Sequence, residues 1–325
     1  MRAVVFRDGT IVVDDVPEPP LGEGQLRVRP LATGICGSDL SAKEHTDDFL
    51  QWNRDIGETG TAFDPTRDVV FGHEFTSEVI EVGPGTTAHR VGDRIVTLPH
   101  VVAPDGVRYT IGYSNDYPGA LAERIVVDAA GHLPIPDGVS PIDAAVTEPM
   151  ATGVNGVLRS GIGVPDGAIV VGCGPVGLGA VVELASRGIA PIVASDPSAV
   201  RRSAALALGA DIAVDPLADD PVDAWRAAAS PGQRLHVIEA SGRKGMINEL
   251  FYRVPDFTRI SVVGVCTSDD VIRPGVGISR NIGLEFVGGP GYRDEAYHAF
   301  ALMLRHIARG RVDLSAVVTG YTGRR

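Results

Sequence analysis

Cysteine is scarce in this chain: three residues in 325, at positions 36, 173 and 266, too far apart to form a disulfide framework. A reducing, cytoplasmic setting fits that usage best. Long hydrophobic runs are missing as well. No apolar stretch approaches the roughly 20 residues that a membrane span needs, so no membrane partner is expected. The opening Met1-Arg2-Ala3-Val4-Val5-Phe6 is too short and too quickly charged for a secretory signal. Positive charge is in deficit: 29 Lys and Arg against 41 Asp and Glu give a formal net charge of −12. A net acidic surface does not attract nucleic acid or anionic membranes, so no nucleic acid is expected as a partner either. Internal repeats and low-complexity tracts are also lacking. The 40 glycines and 23 prolines are spread along the chain as turn punctuation.

What is present is ordinary globular composition, 44% hydrophobic and 22% charged. The length suggests two domains of roughly 150 residues, each able to bury a core. The part up to residue 145 reads as β. Runs at 3–6 and 10–14 flank Asp8-Gly9, a hairpin signal. Residues 25–30 alternate, with Leu26, Val28 and Pro30 on one face and Gln25, Arg27 and Arg29 on the other. Further strands are expected at 75–82, 93–97 and 120–127, and many short strands suggest a small barrel or sandwich. Residues 41–71 interrupt this pattern. They are polar, carry Trp52 and Phe63, show little periodicity, and read as a lid or an ordered excursion. A second irregular stretch covers 99–118.

After residue 145 the pattern changes. Short apolar runs at 168–171, 191–195, 212–214, 235–239, 259–265 and 284–287 alternate with helical stretches at 175–186, 198–208, 222–229 and 244–253. Such alternation builds a parallel sheet through right-handed crossovers. A last amphipathic helix covers 296–308.

Gly172-Cys173-Gly174-Pro175-Val176-Gly177 matches G-x-G-x-x-G, directly after an apolar strand and at the start of a helix. That context makes it a dinucleotide fingerprint: the glycines allow a tight turn and close approach of a pyrophosphate, and the helix N-terminus supplies N–H donors. An acidic residue is expected about 20 positions on. Asp196 stands there and should accept hydrogen bonds from the adenosine ribose, which favours NAD over NADP. Arg201 and Arg202 follow on the next helix and weigh the other way.

Three further segments carry chemistry: Gly34-Ile35-Cys36-Gly37-Ser38-Asp39, Gly72-His73-Glu74-Phe75, and Thr147-Glu148-Pro149-Met150-Ala151-Thr152-Gly153. Cys, His and Glu are all zinc ligands, and three protein ligands with an open position define a catalytic zinc site. Spacing alone does not join these segments, because they are far apart in sequence. Their order, together with the glycine turn, resembles the medium-chain dehydrogenase/reductase family in its zinc-dependent alcohol and polyol (sorbitol-like) branch. The resemblance runs to about residue 318.

The resemblance implies an α/β chain with a GroES-like β-barrel catalytic domain over 1–145 and a Rossmann doubly wound parallel sheet over 146–290. Residues 291–325 would return toward the catalytic domain, in shortened form. By position, Cys36, His73 and Glu148 match zinc ligands, and Glu74 matches a residue that either ligates zinc or stands just behind it. Thr152 matches a residue beside the nicotinamide, and Arg201 one near the adenosine ribose; Pro175 and Val176 belong to the cofactor turn. Ser38 would pass the alcohol proton outward by its hydroxyl, and Asp39 would hold the second nitrogen of His73. A thiolate, a carboxylate and a neutral imidazole leave a zinc site formally neutral, and zinc lowers the pKa of an alcohol it binds.

The sequence also departs from the family. The four-cysteine structural zinc of many relatives has no counterpart here, so one catalytic zinc per chain is expected. The relay histidine of polyol-type members is replaced near Ser41, leaving His45 or water. Cys36 and His73 are 37 positions apart, and the extra residues, about 44 to 68, would lie by the substrate, with Trp52 and Phe63 either lining the pocket or packing together. Cys173 and Cys266 read as small packed residues.

The leading expectation is an NAD- and zinc-dependent oxidoreductase acting on a secondary alcohol, polyol or sugar, built as a homodimer or homotetramer by analogy. Two other readings stay open. One is a zinc-dependent sugar-aldose dehydrogenase. The other is a catalytically impaired NAD-binding protein of the same fold, which intact Cys36, His73 and Glu148 oppose.

Overall fold

The computed structural model describes residues 1–58, 60–104, 106–288, 294–318 and 320. The chain divides into two compact units, Met1–Glu148 and Pro149–Arg325. Among the described residues no helix is long and apolar enough to cross a membrane.

The first unit opens with β1 (Arg2–Arg7) and β2 (Thr10–Asp15), an antiparallel hairpin with Arg7 opposite Thr10. Its two-residue loop holds because Asp8 and Gly9 both take positive φ, 49° and 76°, which matches the twist of the strands. Next come β3 (Gln25–Thr33), α1 (Gly37–Glu44), α2 (Thr46–Asp55), β4 (Phe75–Val82) and β5 (Arg94–Val96). They are followed by a short hairpin of β6 (His100–Val102) and β7 (Arg108–Thr110), then β8 (Ile125–Asp128), β9 (Leu133–Pro134) and α3 (Pro141–Ala145). Five of these strands form an antiparallel sheet in the order β8-β3-β4-β5-β9. One face buries Leu26, Val28, Phe75, Val79, Ile95 and Ile125 in a single core. The other carries cross-strand ion pairs, Arg27 with Glu81 and Arg29 with Glu78, each at 2.8 Å.

Three expectations change here. Gln25, placed on the polar face, is buried: its side-chain oxygen accepts from the Gly22 N–H at 2.8 Å and its amide donates to the Val102 carbonyl at 3.1 Å. The strand expected over 120–127 is shorter, because Ala122 makes only an isolated bridge to Ala3 before β8 begins. The excursion over 41–71 contains helix: α1 reaches into it and α2 lies within it, with Phe49, Leu50 and Asn53 as the buried face of α2. Three apolar side chains in ten residues, Phe49, Leu50 and Trp52, make no readable period, yet Phe49 and Leu50 anchor the helix to a cluster with Phe6, Phe63, Phe71 and Tyr113. Phe63 therefore belongs to that cluster, and Trp52 lies beside Phe49 with ring centroids 6.4 Å apart.

The second unit begins within α4 (Thr147–Ser160). It continues through β10 (Gly167–Val171), α5 (Pro175–Ser186), β11 (Ile192–Ser195), α6 (Ala199–Ala207), β12 (Ile212–Val214), α7 (Pro221–Ala228) and β13 (Leu235–Glu239). Then follow α8 (Met246–Arg253), β14 (Arg259–Val262), α9 (Pro274–Ser279), β15 (Gly283–Phe286), α10 (Asp294–Ala308) and α11 (Leu314–Val317). The six strands are parallel, in the order β12-β11-β10-β13-β14-β15, the Rossmann order. Every residue of β10, β11 and β13 is buried, as a sheet covered on both faces requires. Ile169, Val171, Val193 and Val237 pack toward α7 and α8. On the opposite face α5 packs across β10 and β11, and Gly156 of α4 lies against Ile238.

The described part of the segment after 291, expected to return toward the first domain, belongs to the second unit. Its α10 docks on α5, where His306 Nε2 and Glu183 Oε2 share a buried hydrogen bond at 2.7 Å. Thr319 and residues 321–325 lie outside the described residues.

A buried histidine makes the stability of the first unit depend on pH. His132 is 7% exposed, its Nε2 hydrogen-bonded to the Asp128 carbonyl, and burial pushes its pKa down to about 4. In the unfolded chain a histidine takes up its proton near 6.5. The stabilisation is thus fully present above that pH and is lost as pH falls toward 4, amounting to roughly 3 kcal/mol. Equilibrium denaturation between pH 7 and pH 4 should show this slope, and His132→Asn should reduce it, leaving the share of His100, which burial likewise lowers to about 3.

Candidate metal centre and dinucleotide site

The first centre is built where β3 ends. The chain leaves Thr33 through Gly34 and Ile35, and Cys36 stands at the N-cap of α1. The Cys36 N–H donates to Asp39 Oδ2 at 2.9 Å, which closes the first turn of the helix and fixes both side chains together. His73 and Glu74 arrive from the segment that leads into β4. A Cβ on Gly34 would fall 2.4 Å from a Glu74 carboxylate oxygen, so only glycine lets Glu74 sit there.

The ligand atoms of Cys36, His73 and Glu74 all lie within 4.8 Å of one another. Among the described residues no other trio of His, Cys, Asp or Glu meets so closely. Cys36 is partly exposed, whereas His73 and Glu74 are buried, so the cluster is open on the thiol side. Glu148, the third ligand expected from the sequence, is not in this trio, although its charge acts on His73.

Asp39 organises the surroundings. Its Oδ1 meets His73 Nδ1 at 3.2 Å and accepts from the Tyr113 hydroxyl at 3.0 Å. With Nδ1 turned toward Asp39, Nε2 is the ring nitrogen left for a metal. Burial alone would raise the Asp39 carboxyl; the hydrogen bonds from His73, the Cys36 N–H and Tyr113 outweigh it and hold it below its ordinary value. Burial opposes charge on His73, but Asp39, Cys36 and Glu148 overcome that and push its pKa well up. Glu74 is raised by burial, with Asp39 adding to it. Glu148 is pushed up to about 7 by burial, with Glu74 and Asp39 adding to it. Three carboxyl groups and a thiol thus crowd one imidazole, an arrangement that calls for positive charge. The donor types, one sulfur, one nitrogen and carboxylate oxygen, suit zinc.

Ser38 is half-buried on the first turn of α1, and its Oγ accepts from the Tyr113 hydroxyl at 2.8 Å. This differs from the outward path through His45, which is exposed at the junction of α1 and α2. Tyr113 escaped the sequence reading. It lies between β7 and β8 in a stretch without periodicity, and nothing local marks it.

The second centre lies in the second unit, at the C-terminal ends of the parallel strands. The order reverses between β10 and β13, the switch point where such sheets bind ligands. Gly172 follows β10 with φ 88°, a left-handed conformation. A Cβ on Gly177 would fall 1.8 Å from the Gly172 carbonyl oxygen, so this glycine lets α5 close onto the turn. Gly174 caps α5, with Pro175 and Val176 as its first helical residues, and a Cβ there would meet nothing within 4 Å. That open space above a helix N-terminus fits a pyrophosphate.

Asp196, just past β11, is 2% exposed. Its Oδ2 accepts from the Cys173 N–H at 2.9 Å and its Oδ1 from the Ser198 N–H at 2.8 Å. Arg201 stands 3.7 Å from it, and Arg202 is held by the Asp196 and Pro197 carbonyls and by Asp215. A cavity of about 400 Å³ opens beyond β13 and β14, lined in part by Glu239, Val263, Gly264 and Gly288. Glu239 is a buried carboxyl that sequence reading passed over; its Oε1 accepts from the Ser241 N–H at 2.8 Å. Cys266, expected to be packed, is partly exposed in the wall of this cavity, whereas Cys173 is buried. Thr152 lies half-buried on α4.

Residues 22–137 match the family model of the alcohol dehydrogenase GroES-like domain, and residues 175–305 that of the zinc-binding dehydrogenase. An L-threonine 3-dehydrogenase of Thermococcus kodakarensis is 31% identical over 266 residues, 78% of this chain and 71% of that one. The chain belongs to the medium-chain dehydrogenase/reductase family. Solved members share its fold. The 2R,3R-butanediol dehydrogenase of Bacillus subtilis has a TM-score of 0.75 and 27% identity over 94% of this chain and 88% of its own. A zinc-binding dehydrogenase of Sinorhizobium meliloti, solved bound to NADP, has a TM-score of 0.76 and 25% identity over 96% and 89%. The first unit, built around the five-stranded antiparallel sheet, is thus the GroES-like domain of this medium-chain dehydrogenase, and the second, with its six-stranded parallel sheet, is its Rossmann domain.

The two glycines make opposite predictions. Gly177→Ala should lower stability by about 1–3 kcal/mol through overpacking, read as a fall in Tm. Gly174→Val should leave Tm unchanged and weaken dinucleotide binding at least about tenfold, roughly 1.4 kcal/mol by titration calorimetry.

Proposed function

We infer that this dehydrogenase oxidises a secondary alcohol, polyol or sugar hydroxyl with NAD, at a single catalytic zinc. The observation that carries the reading is the convergence of Cys36, His73 and Glu74 within 4.8 Å. Cys36 Sγ, His73 Nε2 and a carboxylate from Glu74 or Glu148 would hold the ion. Zinc bound there supplies Lewis acidity that makes a substrate hydroxyl more acidic. The protein's own groups do the rest. Asp39 keeps the His73 ring turned so that one nitrogen stays available. The Ser38 hydroxyl, half-buried on the first turn of α1, would accept the substrate's hydroxyl proton while passing its own on to water. A nicotinamide dinucleotide held at the Gly172–Gly177 turn and beside Asp196 would supply the hydride acceptor that oxidation of a carbinol to a carbonyl requires. Fixing these groups in advance is where the rate enhancement arises.

Two observations support NAD over NADP. The Asp196 carboxylate at the end of β11 disfavours a 2′-phosphate, and both nearby arginines are already engaged by carboxylates. The NADP-bound relative makes the comparison worth measuring directly. The substrate class rests on chemistry shared by L-threonine and 2R,3R-butanediol, named in relatives: each carries a secondary hydroxyl.

The test is zinc analysis of the purified chain together with NADH formation on a panel of L-threonine, 2,3-butanediol, polyols and aldoses. One zinc per chain and turnover on at least one secondary alcohol are expected, with kcat/KM higher for NAD than for NADP. Cys36→Ser should abolish turnover and leave dinucleotide affinity intact. Bound zinc without turnover on any alcohol, or full activity in Cys36→Ser, overturns the reading.

A further inference from the structure

Tyr113 holds a place that the reading above does not use. Its side chain is 4% exposed, in an aromatic cluster. The ring lies 5.2 Å from the His73 ring, 5.2 Å from Phe49 and 6.2 Å from Phe71, centroid to centroid. These three neighbours come from the strand entry and from α2, so the phenol is clamped from several sides. Its hydroxyl reaches two acceptors at once, Ser38 Oγ at 2.8 Å and Asp39 Oδ1 at 3.0 Å.

A phenol has one hydrogen and cannot satisfy both acceptors equally. When it points to Ser38, the Ser38 hydrogen is free to turn toward substrate. When it points to Asp39, the Ser38 hydroxyl can donate to the phenol oxygen, which leaves a Ser38 lone pair outward to take a proton. Either way Tyr113 occupies one hydrogen-bonding direction of the Ser38 hydroxyl and so limits the directions left to it. The same phenol shares Asp39 Oδ1 with His73 Nδ1. A movement of Tyr113 would therefore shift the carboxylate that orients the imidazole.

We propose that Tyr113 is a positioning residue, whose hydroxyl ties Ser38 to Asp39 and so constrains both the direction of the Ser38 hydroxyl and the orientation of His73. The proposal rests on the zinc dehydrogenase reading. A structural role for the ring alone predicts that Tyr113→Phe, which keeps every aromatic contact, is silent. A positioning role predicts two effects. Zinc affinity, measured by competition with a chromophoric chelator, should fall about tenfold, the usual scale for removing a hydrogen-bond partner behind a metal ligand. At saturating zinc, kcat should fall with KM changed far less, because the lost contact acts on proton movement and not on substrate binding. In a Ser38→Ala background the further loss of kcat from Tyr113→Phe should be much smaller, since one of the two groups it orients is gone, while the loss of zinc affinity, which runs through Asp39 and His73, should persist.

Tm and dinucleotide affinity of Tyr113→Phe, both expected at wild-type values, report that the protein is folded. Should Tm fall, the Ser38→Ala background still decides, because a folding defect lowers kcat there as well. Wild-type zinc affinity together with wild-type kcat in Tyr113→Phe overturns the proposal, as does an equal loss of kcat with and without Ser38. Failure of the unaltered chain to bind zinc at all takes the underlying dehydrogenase reading down with it, and is seen before any variant is made.

Discussion

Asp39 uses both carboxylate oxygens inside the first unit, one on the Cys36 N–H and the other on His73 and Tyr113. Three distant pieces of chain meet at this one group: the start of α1, the entry to β4, and the loop after β7. A buried carboxylate is costly unless its lone pairs are filled, and filling them demands that those pieces stand at fixed distances. The metal cluster follows from that demand. Cys36 is placed by the turn that Asp39 closes, and His73 is turned by the bond that Asp39 accepts.

The same group sets the electrostatics. Asp39 is held ionised by the three donors around it and raises His73, while burial, with a smaller contribution from Asp39, keeps Glu74 and Glu148 from ionising freely. A divalent cation among them would replace the missing positive charge and allow the carboxyls and the thiol to ionise together. Buried charge clusters of this kind are unfavourable for folding and belong to sites that do chemistry.

Packing around the centre comes from an unexpected quarter. The excursion is polar in composition, yet it supplies Ala42, Phe49, Leu50, Phe63, Val69 and Phe71 to a buried cluster that Phe6 and Tyr113 complete. Aromatic pairs of this geometry add about 0.5–1.5 kcal/mol each beyond simple burial. The excursion thus holds the wall behind His73 and Tyr113, and α2 forms because its few apolar residues have that group to dock on.

The sequence by itself placed the six strands of the second unit and the helices α5, α6, α7, α8 and α10, but not α4, α9 or α11. The helix at Pro175–Ser186 and the strands Ile212–Val214 and Leu235–Glu239 stand where periodicity and turn residues put them, because in a parallel sheet each strand is a short apolar run with a helix on either side. The glycine turn was legible for the same reason: strand, turn and helix are contiguous. Cys36, His73 and Glu148 were legible only through family likeness, and the coordinates then grouped Cys36 with His73 and Glu74. Tertiary structure alone decided that Tyr113 reaches Ser38, that α2 is a helix, and that the described chain after 291 stays with the Rossmann domain. The physical reason is range. Periodicity reports contacts within a turn or a strand, whereas a hydrogen bond between residues 38 and 113 leaves no trace in either local pattern.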